Sequence, residues 1–356
     1  MKISKMQTKD KYIPAFDGIR AMAIFFVMLG HSVQQAPLID GTVVDRGGLG
    51  VDVFFVLSGY LITTILFNEI ARNGTVSLRK FYMRRFLRLY PAMVILVIAY
   101  LIISPFLLQQ TFSTRILTSM AVMTYTMNWV KALSLGGGGL LAHTWSLSIE
   151  EQFYLFWPII LIVMVRFFSM KFCAFVALLI SFFSLFWSIY LDFNGASPER
   201  IYNGSDTRLH SIMIGCSLAL WYLSGIKNFR KDRLISIRSI IALAIIFYIM
   251  IVGTSPAIRE LSHLLLSVST AALILSILNE EILITKFLGI STLCIIGRIS
   301  YGIYLWHYPV FTIMHLNRMS DQRILIFGSA ISITIALVSY LSVERYFLSL
   351  KLKFRS

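Results

Sequence analysis

Apolar residues run through this chain in long stretches parted by short polar breaks, at 18–33, 50–70, 90–108, 146–166, 171–192, 208–224, 236–253, 260–278, 298–317 and 323–343. Each is long enough, or nearly so, to cross a hydrocarbon core about 30 Å thick as an α-helix. The pattern predicts an all-α fold, a polytopic membrane helical bundle of about ten transmembrane helices. A weaker stretch at 115–131 is shorter and carries Thr, Asn and Tyr. It reads equally as an eleventh span or as a partial helix until charge is considered.

The basic residues collect at Lys2, Lys5, Lys9 and Lys11, at 72–88 (Arg72, Arg79, Lys80, Arg84, Arg85, Arg88), at Arg166 and Lys171, at Lys227, Arg230, Lys231 and Arg233, and at Lys351, Lys353 and Arg355. Lys and Arg are retained on the cytoplasmic side of a membrane. All these clusters share that side if ten stretches cross and 115–131 does not, so both termini are expected to be cytoplasmic. The polar loop 193–207 and the glycines at 136–139 then face outward. Composition agrees with this picture. Of 356 residues, 57% are hydrophobic and 14% charged, against roughly 25% charged in a soluble domain, and mean hydropathy is +0.77. The net charge of +15 reads as topology rather than as a nucleic-acid footprint, because its residues lie between apolar runs. No short apolar segment with a small-residue cleavage site marks a removable leader. Cys173, Cys216 and Cys294 lie far apart inside apolar stretches and suggest neither a disulfide frame nor a zinc site. With no repeat, linker or appended soluble domain, 1–356 reads as a single integral-membrane domain.

Polar side chains inside the spans carry the chemistry, because an ionisable group there is costly and marks a functional site by default. In GIRAMAIFFVMLGHSV (18–33), Arg20 sits at the cytoplasmic end and His31 eleven residues on, about 16 Å along a helix. His143, Glu150 and Glu151 open the outer end of 146–166, and His307 falls in the middle or outer part of 298–317. A histidine near a carboxylate suits proton transfer at a hydroxyl: the imidazole accepts the proton and the carboxylate orients it. Arg20, Arg84, Arg85, Arg88 and Arg298 gather on the cytoplasmic side, where guanidinium forks suit phosphate oxygens. Structural readings stand beside these. His31 also serves as an interhelical hydrogen-bonding residue, RRFLR as a topology signal, and Asp52 as the N-terminal cap of its helix. Ser58, Trp145 and the neighbouring aromatics serve as packing, and His210, His263 and His315 as interfacial groups near the outer surface.

Five blocks in order, FDGIRAMAIFFVMLGHS (16–32), GVDVFFVLSGYLIT (50–63), FYMRRFLRLYPA (81–92), WSLSIEEQFYLFWP (145–158) and ISYGIYLWHYPV (299–310), make the chain resemble the membrane-bound acyltransferase family 3. Members of that family transfer acyl groups, usually acetyl from acetyl-CoA, to surface carbohydrates and some small molecules. VERYF (343–347) departs from the family by lacking the proline that often follows its Glu344. The chain also ends at Ser356, which leaves no room for the esterase-like domain some members carry, so direct delivery or hand-over to a separate partner is expected. The resemblance implies a membrane O-acetyltransferase of the bacterial inner membrane. It would move acetyl from cytoplasmic acetyl-CoA, the donor co-substrate, to a hydroxyl of a lipid-linked or growing glycan such as O-antigen or another envelope polysaccharide. His31 and Glu150 would be catalytic, with Glu150 orienting the imidazole. Arg20, Arg84, Arg85, Arg88, Asp52, Ser58, Trp145 and His307 would bind substrate, and neither a metal nor nucleic acid is expected. The rival reading is a transporter or flippase, which intramembrane charge would serve equally well. No repeat relates the two halves and no matching pair of Gly/Pro-broken spans appears, which favours the enzyme.

Overall fold

The structure, a computed structural model, describes residues 12–32, 47–225, 233–252, 258–279 and 282–354. Lys2, Lys5, Lys9, Lys11, Lys227, Lys231, Arg230 and Arg355, which carry part of the orientation argument, lie outside the described residues. Within them every regular element is helical. The helices are α1 (Pro14–Ser32), α2 (Gly47–Asn73), α3 (Leu78–Leu107), α4 (Phe112–Met123), α5 (Met127–Ala132), a 3-10 turn (Gly139–Thr144), α6 (Trp145–Phe167), α7 (Met170–Phe193) and α8 (Pro198–Asn203). They continue with α9 (Ser205–Leu223), α10 (Arg233–Val252), α11 (Arg259–Leu278), α12 (Ile282–Leu288), α13 (Ser291–Arg298), α14 (Ser300–Leu316) and α15 (Asp321–Lys351). Among the described residues, α1, α2, α3, α6, α7, α11 and α15 are long and apolar enough to cross a membrane. The shorter or more polar α9, α10 and α14 fall on the other three apolar stretches of the sequence.

Two elements differ informatively from their sequence pattern. Helix α3 begins at Leu78, well before the apolar run at 90, so the basic segment belongs to the same rod. Its 30 residues span about 45 Å at 1.5 Å each, more than the hydrocarbon core, and the basic end forms the surplus. The 115–131 stretch breaks at Tyr125, whose φ is 55°. That leaves α4, about 18 Å long at 1.5 Å per residue, and the single turn of α5, neither able to span.

Close backbone approach sets the packing. Helix α2 crosses α9 where Gly59 and Gly215 face each other. A Cβ on Gly59 would come within 2.1 Å of the Ile212 carbonyl oxygen, and one on Gly215 within 2.0 Å of that of Val56. Without water to drive apolar helices together, small residues that let backbones touch are the main source of such crossings. Helix α9 packs also on α7, α1 lies against α2, α13 and α14, and α15 lies along α14. One apolar core joins α2, α3, α6 and α14, and a second joins α1, α2, α10 and α11. Large apolar side chains on the long apolar helices, such as Phe106 and Phe183, are exposed, as a bilayer-solvated surface requires.

Candidate active site

Arg20 and His31 lie on one face of α1, because eleven residues at 100° each return to within about 20° of the start. Arg20 lines a cavity bounded also by α2, α3, α6 and α14, whose lining does not include His31. Arg20, Arg85 and Arg88 line one part of it, Ser58, Glu150 and Tyr154 line its wall, and Ser146 and Tyr304 also line it. On α6, Ser146, Glu150 and Tyr154 are spaced i, i+4, i+8 and form a single stripe of about 12 Å.

The cationic end is unevenly committed. Arg20 donates to Asp17 Oδ1 at 2.6 Å, and Asp17 also accepts from the Tyr12 hydroxyl. Arg85 stacks on the Tyr154 ring at 4.9 Å and on Phe81 at 5.7 Å. Neither Arg85 nor Arg88 forms a hydrogen bond or close ion pair with any of the described residues, so their forks remain available to an anion. Arg84 points elsewhere. It pairs with Glu69 at 3.2 Å and donates to the Phe354 carbonyl at 2.8 Å, tying the C-terminal segment to the α2–α3 turn. By helix spacing position 88 neighbours both 84 (i, i+4) and 85 (i, i+3), so the pairing with Glu69, not the spacing, sets Arg84 apart.

Glu150 Oε1 accepts hydrogen bonds from both the Ser58 and Tyr154 hydroxyls, and Tyr154 is also 3.1 Å from Ser58 Oγ. Its neighbour Glu151 does not line the cavity. The hydrogen-bonding contact at His31 Nδ1 is made by His307 Nε2, at 3.0 Å, where the sequence had pointed to Glu150 as the orienting group. His307 is fully buried on α14, with Nδ1 2.7 Å from the Tyr304 carbonyl. His143 completes a cluster of three imidazoles. Its ring lies 5.5 Å from that of His307 and stacks on Tyr308 at 5.0 Å, and neither of its nitrogens has a hydrogen-bond partner among the described residues. The 3-10 turn that presents His143 follows Gly136, Gly137 and Gly138, with φ of 79°, 99° and 93°, and opens on Gly139, with φ of 46°. A run of left-handed backbone of this kind is readily adopted by glycine.

Tyr304 couples the two halves of the site. Its hydroxyl is 2.6 Å from Ser146 Oγ and donates to the His143 carbonyl at 2.6 Å, while its ring lies 5.4 Å from that of His307. The histidines therefore lie just behind Tyr304. Tyr304, Tyr308 and Tyr154 stand inside the YGIYLWHYP and IEEQFYLFW segments, but nothing in their residue type separates them from packing aromatics.

Other sequence-flagged residues form a separate centre. Asp52 lies five residues inside α2 and does not cap it. Fully buried, its Oδ1 accepts from Arg208 at 3.0 Å and Ser211 at 2.8 Å, and its Oδ2 lies 2.5 Å from His263 Nδ1. His210 and His263, expected at an interface, are 0% and 2% exposed, because the Asp52 charge inside the bundle has to be matched by buried partners. His315 is half-buried, with Nε2 3.4 Å from the His31 carbonyl. Trp145 packs between Phe55 and Tyr202 under the Arg208 guanidinium. Glu344 is buried where a π-helical stretch widens α15, and it accepts from Ser339 at 3.2 Å.

Comparison with known proteins adds an independent line. The family described as an acyltransferase domain matches residues 13–343. The peptidoglycan O-acetyltransferase OatA of Listeria monocytogenes is 32% identical over 317 residues, 85% of this chain and 50% of that protein. The O-acetyltransferase OatA of Staphylococcus aureus is 31% identical over 333 residues, 90% of this chain and 54% of that protein. The chain thus spans about half the length of these curated relatives. No solved structure matches it.

Proposed function

Because the chain belongs to the acyltransferase domain family, which it matches from residue 13 to residue 343, we propose that it is a membrane O-acetyltransferase that moves acetyl from acetyl-CoA to a hydroxyl of an envelope glycan. The observation that carries this reading is the cavity itself. Two guanidiniums without close ion pairs among the described residues, Arg85 and Arg88, line it together with Ser146 and Tyr304, beside the histidine cluster.

In this reading the phosphates of the donor dock on Arg85 and Arg88, with Arg20 held ready by Asp17. The pantetheine arm runs along the wall formed by Ser58, Glu150 and Ser146. The 16 Å or so between Arg20 and His31 suits an extended arm, and the thioester reaches the histidines past Tyr304. His31 takes the proton of the acceptor hydroxyl, the oxygen attacks the thioester carbon, and a C–O bond forms as the C–S bond breaks. The proton then passes from His31 to the departing thiolate, so the imidazole ends neutral. Glu150 keeps Ser58 and Tyr154 in place and, through Tyr154, the stacked Arg85.

The printed name of the Listeria relative supports peptidoglycan as the acceptor to test first, with O-antigen second. The basic clusters support a donor site facing the cytoplasm and an acceptor site on the outer face of a bacterial cytoplasmic membrane. The test uses purified protein in nanodiscs with labelled acetyl-CoA, comparing wild type, His31→Ala and Glu150→Gln. Wild type is expected to bind and turn over the donor, and His31→Ala to bind with turnover reduced roughly 10²–10⁴-fold, the usual contribution of a general base. Failure of the wild type to bind acetyl-CoA would overturn the donor assignment, and succinyl-CoA binding in its place would change the acyl group.

A further inference from the structure

We propose that His307 is the positioning residue of this site, holding His31 in the tautomer that carries its proton on Nδ1 and its lone pair on Nε2. The proposal rests on the reading of His31 as the base. It comes from following the protons through the hydrogen bonds. His307 Nδ1 lies 2.7 Å from the Tyr304 carbonyl and 3.2 Å from the Ile303 carbonyl. A carbonyl only accepts, so Nδ1 of His307 carries the proton, and in the neutral ring Nε2 carries the lone pair. That Nε2 is 3.0 Å from His31 Nδ1, and two lone pairs cannot face each other at this distance. His31 therefore donates from Nδ1, and as a neutral ring it has its basic electron pair on Nε2.

The alternatives are costly. Moving the proton of this contact onto His307 would create an imidazolium on a fully buried ring, whose three hydrogen-bonding contacts are two carbonyls and an imidazole. An unpaired buried cation is strongly disfavoured. Turning the His307 ring over would set carbon atoms against both carbonyls and against His31, forfeiting all three hydrogen bonds. A carboxylate is the usual partner of a catalytic imidazole, but Glu150 has both nearby hydroxyls on its Oε1. A neutral imidazole, backed by two carbonyls of its own helix, does the orienting here. When Nε2 of His31 takes up the acceptor proton, the Nδ1–H···Nε2 bond to His307 spreads the new charge over both rings, and His143 and Tyr308 enclose them.

The test combines nitrogen NMR of histidine-labelled protein in nanodiscs with kinetics of His31→Ala, His307→Phe and His307→Gln, each checked for thermal unfolding. Wild-type His31 is expected to show its proton on Nδ1. His307→Phe keeps a ring in the core but removes the acceptor. It is expected to lower kcat roughly 10²–10³-fold, with KM for acetyl-CoA unchanged and the His31 proton shifted toward Nε2. His307→Gln places an amide oxygen close to where Nε2 was and is expected to recover most of that loss. A wild-type spectrum with the His31 proton on Nε2 overturns the proposal without any variant. So does a His307→Gln protein as slow as His307→Phe, or a His307→Phe protein as fast as wild type, while His31→Ala is slowed by roughly 10²–10⁴-fold. Full activity in His31→Ala removes instead the base reading on which the proposal rests.

Discussion

Arg84 and Arg85 are neighbours in the sequence with opposite employments, and the difference makes them separable by measurement. Arg84 balances Glu69, whose side chain is 3% exposed. Arg84→Ala leaves that carboxylate buried without its cation, a change that costs roughly 3–5 kcal/mol in stability. It should lower the unfolding temperature in detergent while surviving protein keeps its KM for acetyl-CoA. Arg88→Ala removes a cation that forms no hydrogen bond or close ion pair with any of the described residues, so it should fold normally. A hydrogen bond to a charged group contributes about 1.5–3 kcal/mol, and KM for the donor should rise about 10- to 100-fold with kcat little changed. An unaltered KM would return Arg88 to topology alone. The RRFLR segment could not reveal this division, because which face of α3 meets the cavity depends on how α2, α6 and α14 pack around it. Glu150 and Glu151 were indistinguishable for the same reason.

At the scale of elements, the contact between α2 and α9 is one of the close backbone approaches that hold the bundle together. A Cβ at Gly215 would stand 2.0 Å from a backbone oxygen, which no side-chain motion relieves. Gly215→Val should therefore cost roughly 3 kcal/mol or more, read as loss of folded, monodisperse protein. The Asp52 centre staples the same region from α2 to α9 and α11 through Arg208, Ser211 and His263. Asp52→Ala leaves Arg208 buried beside two aromatic rings and should destabilise by roughly 3–5 kcal/mol. Donor KM in the protein that remains folded is expected to match wild type, since Asp52 does not line the cavity. A selective rise in KM with unchanged stability would move Asp52 back to substrate binding. The apolar stretches were legible because span length follows from hydropathy. The start of α3 was not, since a basic segment continues a helix beyond the bilayer without any hydrophobic signal.

The whole molecule poses the question of sides. The three cysteines, Cys173, Cys216 and Cys294, are free and buried, so single cysteines placed at exposed turns report topology without background from native thiols. With ten crossings and cytoplasmic termini, Gly74→Cys should be shielded from an impermeant thiol reagent in intact cells. Gly136→Cys and Gly195→Cys, in turns with nothing packed on their Cβ positions, should react. The opposite pattern would invert the donor and acceptor faces of the proposed reaction, and equal labelling of all three would break the ten-span count.

Taken alone, the sequence determined the class of the molecule and which of its polar side chains share a helix face. Hydropathy fixes which segments prefer lipid, and the eleven-residue interval from Arg20 to His31 fixes a shared helix face because both are properties of a single helix. The tertiary structure decided the partners. His31 meets His307, 276 positions away, Ser58 meets Glu150 across 92, and Asp52 meets His263 across 211. Such pairings arise from the rotation and depth at which whole helices settle against one another. Those are set by backbone contacts such as Gly59 on Ile212, which no local pattern of hydrophobic and polar residues records.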